Sequence, residues 1–395
     1  MLRATQAQIV AFRASALHLT ERLPPGAVVE AVRPCGLQDT PPGNAAVAAA
    51  ARVAGLTDEL WTRALEEEKV LVAVWAMRGS PFVFARDDVR TFMTGLLPED
   101  ERTLLHLVTS GQRPEVEQSG VSASELVDRL TQKARAVLKG DPLPRGAFGR
   151  ALGEAVPEPL RARYTDEDRL SVLALTVARL VALRGAFVFG PRMGRELSIV
   201  ATDEWLGSDG GRLDPREARA EFVRRFLRAF APATAEDLAW WATTAPESET
   251  RVVLQEWARR LWSLVEPEVT EVAVHGSRAF VLAADAQKLA SPPEPAGIRL
   301  LPPHDPFLMQ RERELLLPEA LRPRVWRAQH SPGVVLSNGT IVATWTGKKR
   351  GSSFVVSLEP LHVRLSKRFI ADAESEAARL ATLRGCKQTE ISVAA

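Results

Sequence analysis

Apolar residues recur along this chain with two spacings, one helical and one that breaks into short runs at tight turns. In Glu249 to Leu264 the apolar positions 253, 254, 257, 261 and 264 fall on one helical stripe. Ala45 to Val53 is an alanine-rich helical stretch stopped at Gly55, and Thr57-Asp58-Glu59 opens a further helix through Glu68. Thr57 and Thr234 suit N-caps, and Ser122 with Glu125 forms a capping box. Thr234 to Ala242 follows Pro232 and leads through a TTAPES turn into the 249–264 helix.

The second spacing is repeated. Ala73-Val74-Trp75-Ala76-Met77-Arg78-Gly79-Ser80-Pro81-Phe82-Val83-Phe84 recurs in outline as 178–189, again an apolar run, an Arg-Gly and a second apolar run. Glu271 to Leu282, broken at His275-Gly276, is a weaker third copy. Apolar runs either side of a Gly-containing turn predict β-hairpins, which places Arg78 and Arg184 at hairpin tips. Helix, turn, helix and then hairpin is the winged-helix order, and three copies in tandem are expected.

At Ser291-Pro292-Pro293-Glu294-Pro295 the texture changes. Val334 to Trp345 is a hairpin around Asn338-Gly339, and Lys348-Lys349-Arg350-Gly351 is a basic turn before Phe354 to Leu358. A helix from Ser366 to about Leu383 and a strand from Glu390 to Val393 complete that region. The expected fold class is therefore α+β. Three winged-helix domains, over 1–111, 112–214 and 215–290, precede a β-rich basic C-terminal domain over 291–395.

Bulk properties narrow the chemistry. At 395 residues the chain exceeds what one core usually serves, and 46% hydrophobic with 25% charged residues is ordinary for a globular protein. No run reaches the roughly 18 to 20 apolar residues of a membrane span, and the N-terminus does not read as a signal peptide. Two cysteines make no disulfide framework, so a cytoplasmic protein is expected, nucleoid-associated if it binds DNA. The net charge of +2 hides an asymmetry, because residues 296–395 carry 15 Lys/Arg against 9 Asp/Glu. That basic end suits a polyanion such as double-stranded DNA, or simply a solvated face.

No metal or cofactor is implied. The histidines at 18, 106, 275, 304, 330 and 362 lack paired ligand spacing, and no phosphate-binding glycine loop follows a strand. Gly-x-Ser-x-Gly is absent. Pro303-His304-Asp305-Pro306 reads as a turn whose aspartate caps the next segment, not a catalytic dyad. Trp61, Trp75, Trp257 and Trp262 sit at core-like spacing, which argues against base stacking. Candidate phosphate contacts are Arg78, Arg184, Lys348, Lys349 and Arg350, each with the bland alternative of a solubilising tip.

"GLQDTPPGNA", "VWAMRGSPFVF", "RRFLRAFAPATAEDLAWWA" and "LLPPHDPFLMQRERELLLP" together resemble the winged-helix family containing the AlkZ and YcaQ DNA glycosylases, over about residues 5–393. The resemblance implies excision of alkylated or cross-linked purines from duplex DNA through a short Gln-x-Gln or Gln-x-Asp motif. Gln38 matches the first motif position, Thr40 falls on the second, and Asp39 lies between them. Phe82 stands where relatives show a wing histidine. The expectation is a monomeric, monofunctional glycosylase, with Gln38, Asp39 and Thr40 as candidate catalytic residues. A non-catalytic DNA-binding regulator or architectural protein is the alternative, and a protein-binding scaffold a lesser one.

Overall fold

The computed structural model describes residues 2–108, 112–194, 196–207, 213–244 and 247–394. Among the described residues it is a mixed α+β protein with three sheets. Contacts divide it into two units that the chain visits alternately. One holds Met1–Ala64, Arg225–Thr234 and Glu268–Ala395, the other Leu65–Arg224 and Ala235–Pro267.

In the first unit, five strands run in the order Gln388–Val393, Ser353–Pro360, Thr340–Arg350, Gly333–Ser337, Ile298–Leu301. The first pair is parallel and the rest antiparallel. A parallel pair needs a crossover, and the Lys367–Leu383 helix supplies it. Its capping serine, Ser366, accepts from Phe369 N–H at 3.1 Å, as the sequence predicts. Ala373, Ala377, Leu380 and Ala381 recur at helical spacing and are buried, so this face packs on the sheet and on the Asn44–Arg52 helix. The Asn338-Gly339 turn is also as expected. Both residues have left-handed φ angles, 48° and 80°, the geometry a two-residue hairpin demands. Thr340–Arg350 extends further than predicted, so Lys348 to Arg350 are paired strand residues leading to a tip at Gly351.

The same unit contains a three-stranded sheet in which Leu2–Arg3 runs parallel to Val269–Val274, itself antiparallel to Ser277–Leu282. The third predicted hairpin is thus present. Thr57 caps Asp58–Thr62 by accepting from Leu60 N–H, and the helix widens into a π turn over Arg63–Glu67.

In the second unit, Pro81–Ala85, Leu71–Trp75, Phe187–Met193 and Glu196–Ala201 are hydrogen-bonded in that order, so the first and second hairpins share a sheet. Trp75 packs edge-on between Phe187 and Phe189, at ring-centroid distances of 5.8 and 5.1 Å. Ahead of the second hairpin come Ala123–Val137, Arg145–Gly153 and Glu167–Leu183, with a single bridge between Leu143 and Ile199. Ser122 accepts from Glu125 N–H, which is one half of the expected capping box. Trp61 in the first unit, and Trp75, Trp257 and Trp262 in the second, are all buried, as their spacing implied. Ala235–Ala242 starts directly after Thr234. The Ser248–Trp262 helix buries Val253, Leu254, Trp257 and Leu261. Ala245 and Pro246 of the expected turn between them lie outside the described residues.

The apolar run 178–183, expected as the first strand of the second hairpin, is the last third of the Glu167–Leu183 helix. Asp166 caps its start, and a Schellman closure ends it: Gly185 N–H donates to Ala182 O, and Ala186 N–H to Val181 O. Gly185, at φ 71°, is the left-handed residue this closure requires. Arg184 is consequently a helix C-cap, 3.5 Å from Asp128, and not a hairpin tip.

Candidate functional site

The Gln38-Asp39-Thr40 segment follows the short strand Leu37–Gln38 and leads into the Asn44–Arg52 helix. Three interactions fix the turn between them. Asp39 Oδ1 accepts from Gly43 N–H at 2.7 Å and Ala45 N–H at 3.0 Å, so it satisfies the amides a helix start leaves open. Asn44 Nδ2 donates to Thr40 O at 2.9 Å and to Pro303 O at 2.8 Å, tying the turn to the Pro-His-Asp-Pro segment. Gly43 takes the left-handed φ of 90° before the helix, and a Cβ there would come within 3.0 Å of an Arg384 guanidinium nitrogen.

Gln38 is 6% exposed, and its Oε1 is buried with no hydrogen-bond partner among the described residues. A buried carbonyl oxygen without a partner is costly, of the order of 1–3 kcal/mol, and such groups concentrate where a substrate or water completes them. Gln38 is a neutral carboxamide, so its donor and acceptor persist across the pH range.

The helix that begins at this turn ends on a buried ion pair. Arg52 Nη1 and Nη2 contact Asp305 Oδ2 and Oδ1 at 2.7 and 2.9 Å, and Arg52 also donates to Leu17 O and Ala48 O. Asp305 accepts in addition from Phe307 N–H, so it is the cap the sequence implied and also half of a salt bridge it did not reveal. The one available signal was a lone charged residue, Arg52, ending an alanine-rich helix, Asn44–Arg52. Burial, with Arg52 nearby, lowers the pKa of His18, and burial pushes the Cys35 thiol up to about 12.

Arg384 caps the Lys367–Leu383 helix, where a cation complements the helix dipole. Lys349 Nζ donates to its carbonyl at 3.2 Å. Lys348, Lys349 and Arg350 are exposed. Arg384 thus lies beside both the basic strand end and Gly43 of the turn that follows Gln38, a juxtaposition that sequence reasoning missed because it joins residues more than 300 positions apart.

The second unit holds the other two candidates. Arg78 occupies the Leu71–Trp75/Pro81–Ala85 turn at φ 57°, donates to Trp240 O at 2.7 Å and lies 4.8 Å from the Trp240 ring centroid. It braces the hairpin tip against the Ala235–Ala242 helix. Arg184 caps a helix as described. Phe82 is 1% exposed, and its ring centroid lies 5.9 Å from that of Phe84, so this wing position is core. Among the described residues no group of three or more His, Cys, Asp or Glu side chains is placed to hold a metal.

The family described as "DNA glycosylase AlkZ-like" matches residues 32–383 of the chain. The chain is 28% identical over 400 residues to the "Interstrand DNA cross-link repair glycosylase" of Streptomyces sahachiroi, covering 99% of this chain and all of that one. The solved structure of Streptomyces sahachiroi DNA glycosylase AlkZ superposes with a TM-score of 0.78 at 26% identity, covering 100% of both chains.

Proposed function

The chain belongs to the AlkZ-like DNA glycosylase family, and from that premise we propose that it hydrolyses the N-glycosidic bond of alkylated or cross-linked purines in double-stranded DNA. N7 alkylation makes the purine cationic. As the C1′–N9 bond breaks, its electron pair neutralises the departing base, and a water oxygen bonds to C1′. That water then loses a proton to solvent. The leaving group needs no strong acid; the protein's task is to place the water and to stabilise the oxocarbenium-like transition state.

One observation carries this reading: the buried, unpartnered Oε1 of Gln38. It is the acceptor for a hydrogen of the attacking water. Thr40 O–H is a second contact, and Asp39 holds the turn through Gly43 and Ala45 N–H. Lys348, Lys349 and Arg350 hold phosphates beside the turn. Arg78 braces its hairpin turn through Trp240 O, and Arg184 closes the Glu167–Leu183 helix. We assign three winged helices over 1–111, 112–214 and 215–290 and a β-rich domain over 291–395. The helix–helix–helix–hairpin order over 123–201 supports that assignment. A monomer acting in the cytoplasm, at the nucleoid, fits the same reading.

The test is release of N7-methylguanine from a duplex oligonucleotide in single turnover. Gln38→Ala is expected to slow it by about 100-fold or more, the scale for removing one stabilising polar group. Unchanged release by that variant would overturn the assignment. A second reading, a DNA-binding protein without catalysis, is favoured by Thr40 at the second motif position and by the core role of Phe82. It predicts a salt-dependent gel shift with no abasic product at enzyme excess.

A further inference from the structure

The Lys367–Leu383 helix ends in a closure that fixes Arg384. Cys386 N–H donates to Ala381 O at 2.8 Å and Gly385 N–H to Thr382 O at 3.0 Å, with Gly385 at a left-handed φ of 62°. Cys386 is buried, so the chain is anchored directly beyond this closure. Arg384 itself is exposed, and its guanidinium lies against Gly43. A Cβ on that glycine would stand 3.0 Å from Nη1 and 3.5 Å from Nη2, so a larger residue there would push the guanidinium away. Gly43 is also the residue whose N–H Asp39 Oδ1 accepts at 2.7 Å. Arg384, the Asp39 clasp and Gln38 therefore meet at one turn. On its other side Lys349 Nζ donates to Arg384 O at 3.2 Å, which brings the exposed Lys348-Lys349-Arg350 row up to the same place. Asp39 is the one acid between Leu37 and Asn44, and its Oδ1 is committed to the Gly43 and Ala45 amides. No carboxylate among the described residues pairs with Arg384.

From this geometry we propose that Arg384 binds a backbone phosphate flanking the target nucleotide, on the lesion-bearing strand, and so holds the attacked sugar at Gln38. The proposal rests on the glycosylase reading and adds to it a residue that places the substrate. A guanidinium offers parallel N–H donors to two phosphate oxygens and fixes orientation as well as charge, whereas the ammonium groups of Lys348 and Lys349 supply charge alone. The helix closure sets the Arg384 backbone and Gly43 sets the position of its guanidinium, so little freedom is lost when a phosphate docks. Phosphate contacts fix the register of a duplex on a protein. One made on the turn that carries Gln38 converts that register into alignment of C1′ with the water to be held there.

The probe is a duplex carrying one 2′-fluoro-N7-methyl-2′-deoxyguanosine, in which the fluorine disfavours the oxocarbenium-like transition state and keeps the base attached. In a series of such duplexes, one phosphate at a time is replaced by an uncharged methylphosphonate, and affinity for the full chain is measured. The wild-type chain is expected to lose about tenfold with the replacement at a phosphate flanking the lesion. Arg384→Gln is expected to bind the unmodified duplex about tenfold more weakly and to be unmoved by that same replacement. Arg384→Lys keeps the charge at the helix end, should the glutamine variant not fold, and is expected to show a reduced sensitivity at that phosphate. Arg368→Gln removes an equal charge from the first turn of the same helix and is expected to leave the wild-type profile intact. Melting midpoints check the fold of each variant. An Arg384→Gln profile identical to wild type, coupling to a phosphate away from the lesion, or the same change in Arg368→Gln would sink the proposal. No glycosidic cleavage enters the measurement. A wild-type chain that binds none of the duplexes removes the proposed function and this contact with it, whereas a bound duplex indifferent to Arg384 removes the contact alone.

Discussion

At the level of single residues, the Gln-Asp-Thr segment separates into two jobs. Asp39 is a clasp: its Oδ1 serves two backbone amides of the following turn and helix. Asp39→Ala is expected to cost about 0.5–2 kcal/mol, the range for losing an N-cap side chain, read as a lower midpoint in chemical denaturation. A substitution that leaves the midpoint unchanged but stops N7-methylguanine release would instead give Asp39 a direct part in the reaction. Gln38 does the reverse: its Oε1 is buried with no hydrogen-bond partner among the described residues, so it costs stability where Asp39 supplies it. The sequence located this site by resemblance. It could not divide the labour, because both acceptor geometries depend on a turn set by Gly43 and Asn44.

At the level of elements, what was legible was local. The Asn-Gly hairpin and the Ser366 cap are specified by neighbouring residues, and they stand where expected. The run 178–183 was not, because a short apolar run fits a strand or the end of a buried helix equally well. What decided it was the Asp166 cap twelve residues earlier and the closure through Gly185. The basic strand end has a consequence of its own. Lys348, Lys349 and Arg350 are exposed on the Thr340–Arg350 strand, whose pairing to Ser353–Pro360 does not depend on their charge. Reversing all three to Glu is expected to lower the slope of log affinity for duplex DNA against log salt by about 2.7, near 0.9 per phosphate contact. Gel shifts at several salt concentrations measure it. An unaltered slope would show that this strand end meets no phosphate.

At the level of the molecule, both units contain a histidine whose pKa is lowered. For His18 the causes are burial and then Arg52; for His106 they are burial and then Arg113. With folded-state values below the ordinary 6.5, the unfolded chain takes up these protons first. Their contribution is therefore fully present above about pH 6.5 and declines as pH falls below it. Thermal melts from pH 7.5 to 5.5 should show a falling midpoint, and His106→Gln should make that fall shallower. A midpoint that rises on acidification contradicts the sign. Residues 1–64 and 268–395 share one unit. A chain ending at Ala290 loses Asp305, leaving the Arg52 guanidinium, 1% exposed, without its carboxylate. Removing one partner of a buried pair costs about 3–5 kcal/mol, so that shortened chain is expected to be insoluble or unfolded. A soluble, cooperatively melting product would count against it.

The Arg52–Asp305 pair also sets a clock. The two residues are 253 positions apart, and a ribosome adding roughly 5–20 residues per second takes about 13–50 s to cover that distance. Leu65–Arg224, most of the second unit, is synthesised inside this interval. The helix that opens at the Gln38 turn emerges early, carrying a cation meant for the interior, and waits for its counter-ion until about three-quarters of the protein has been made. The first unit is thus completed after translation of its middle is long finished. Its assembly in the cell is exposed to chaperones and proteases in a way that refolding of the full-length chain in a test tube is not.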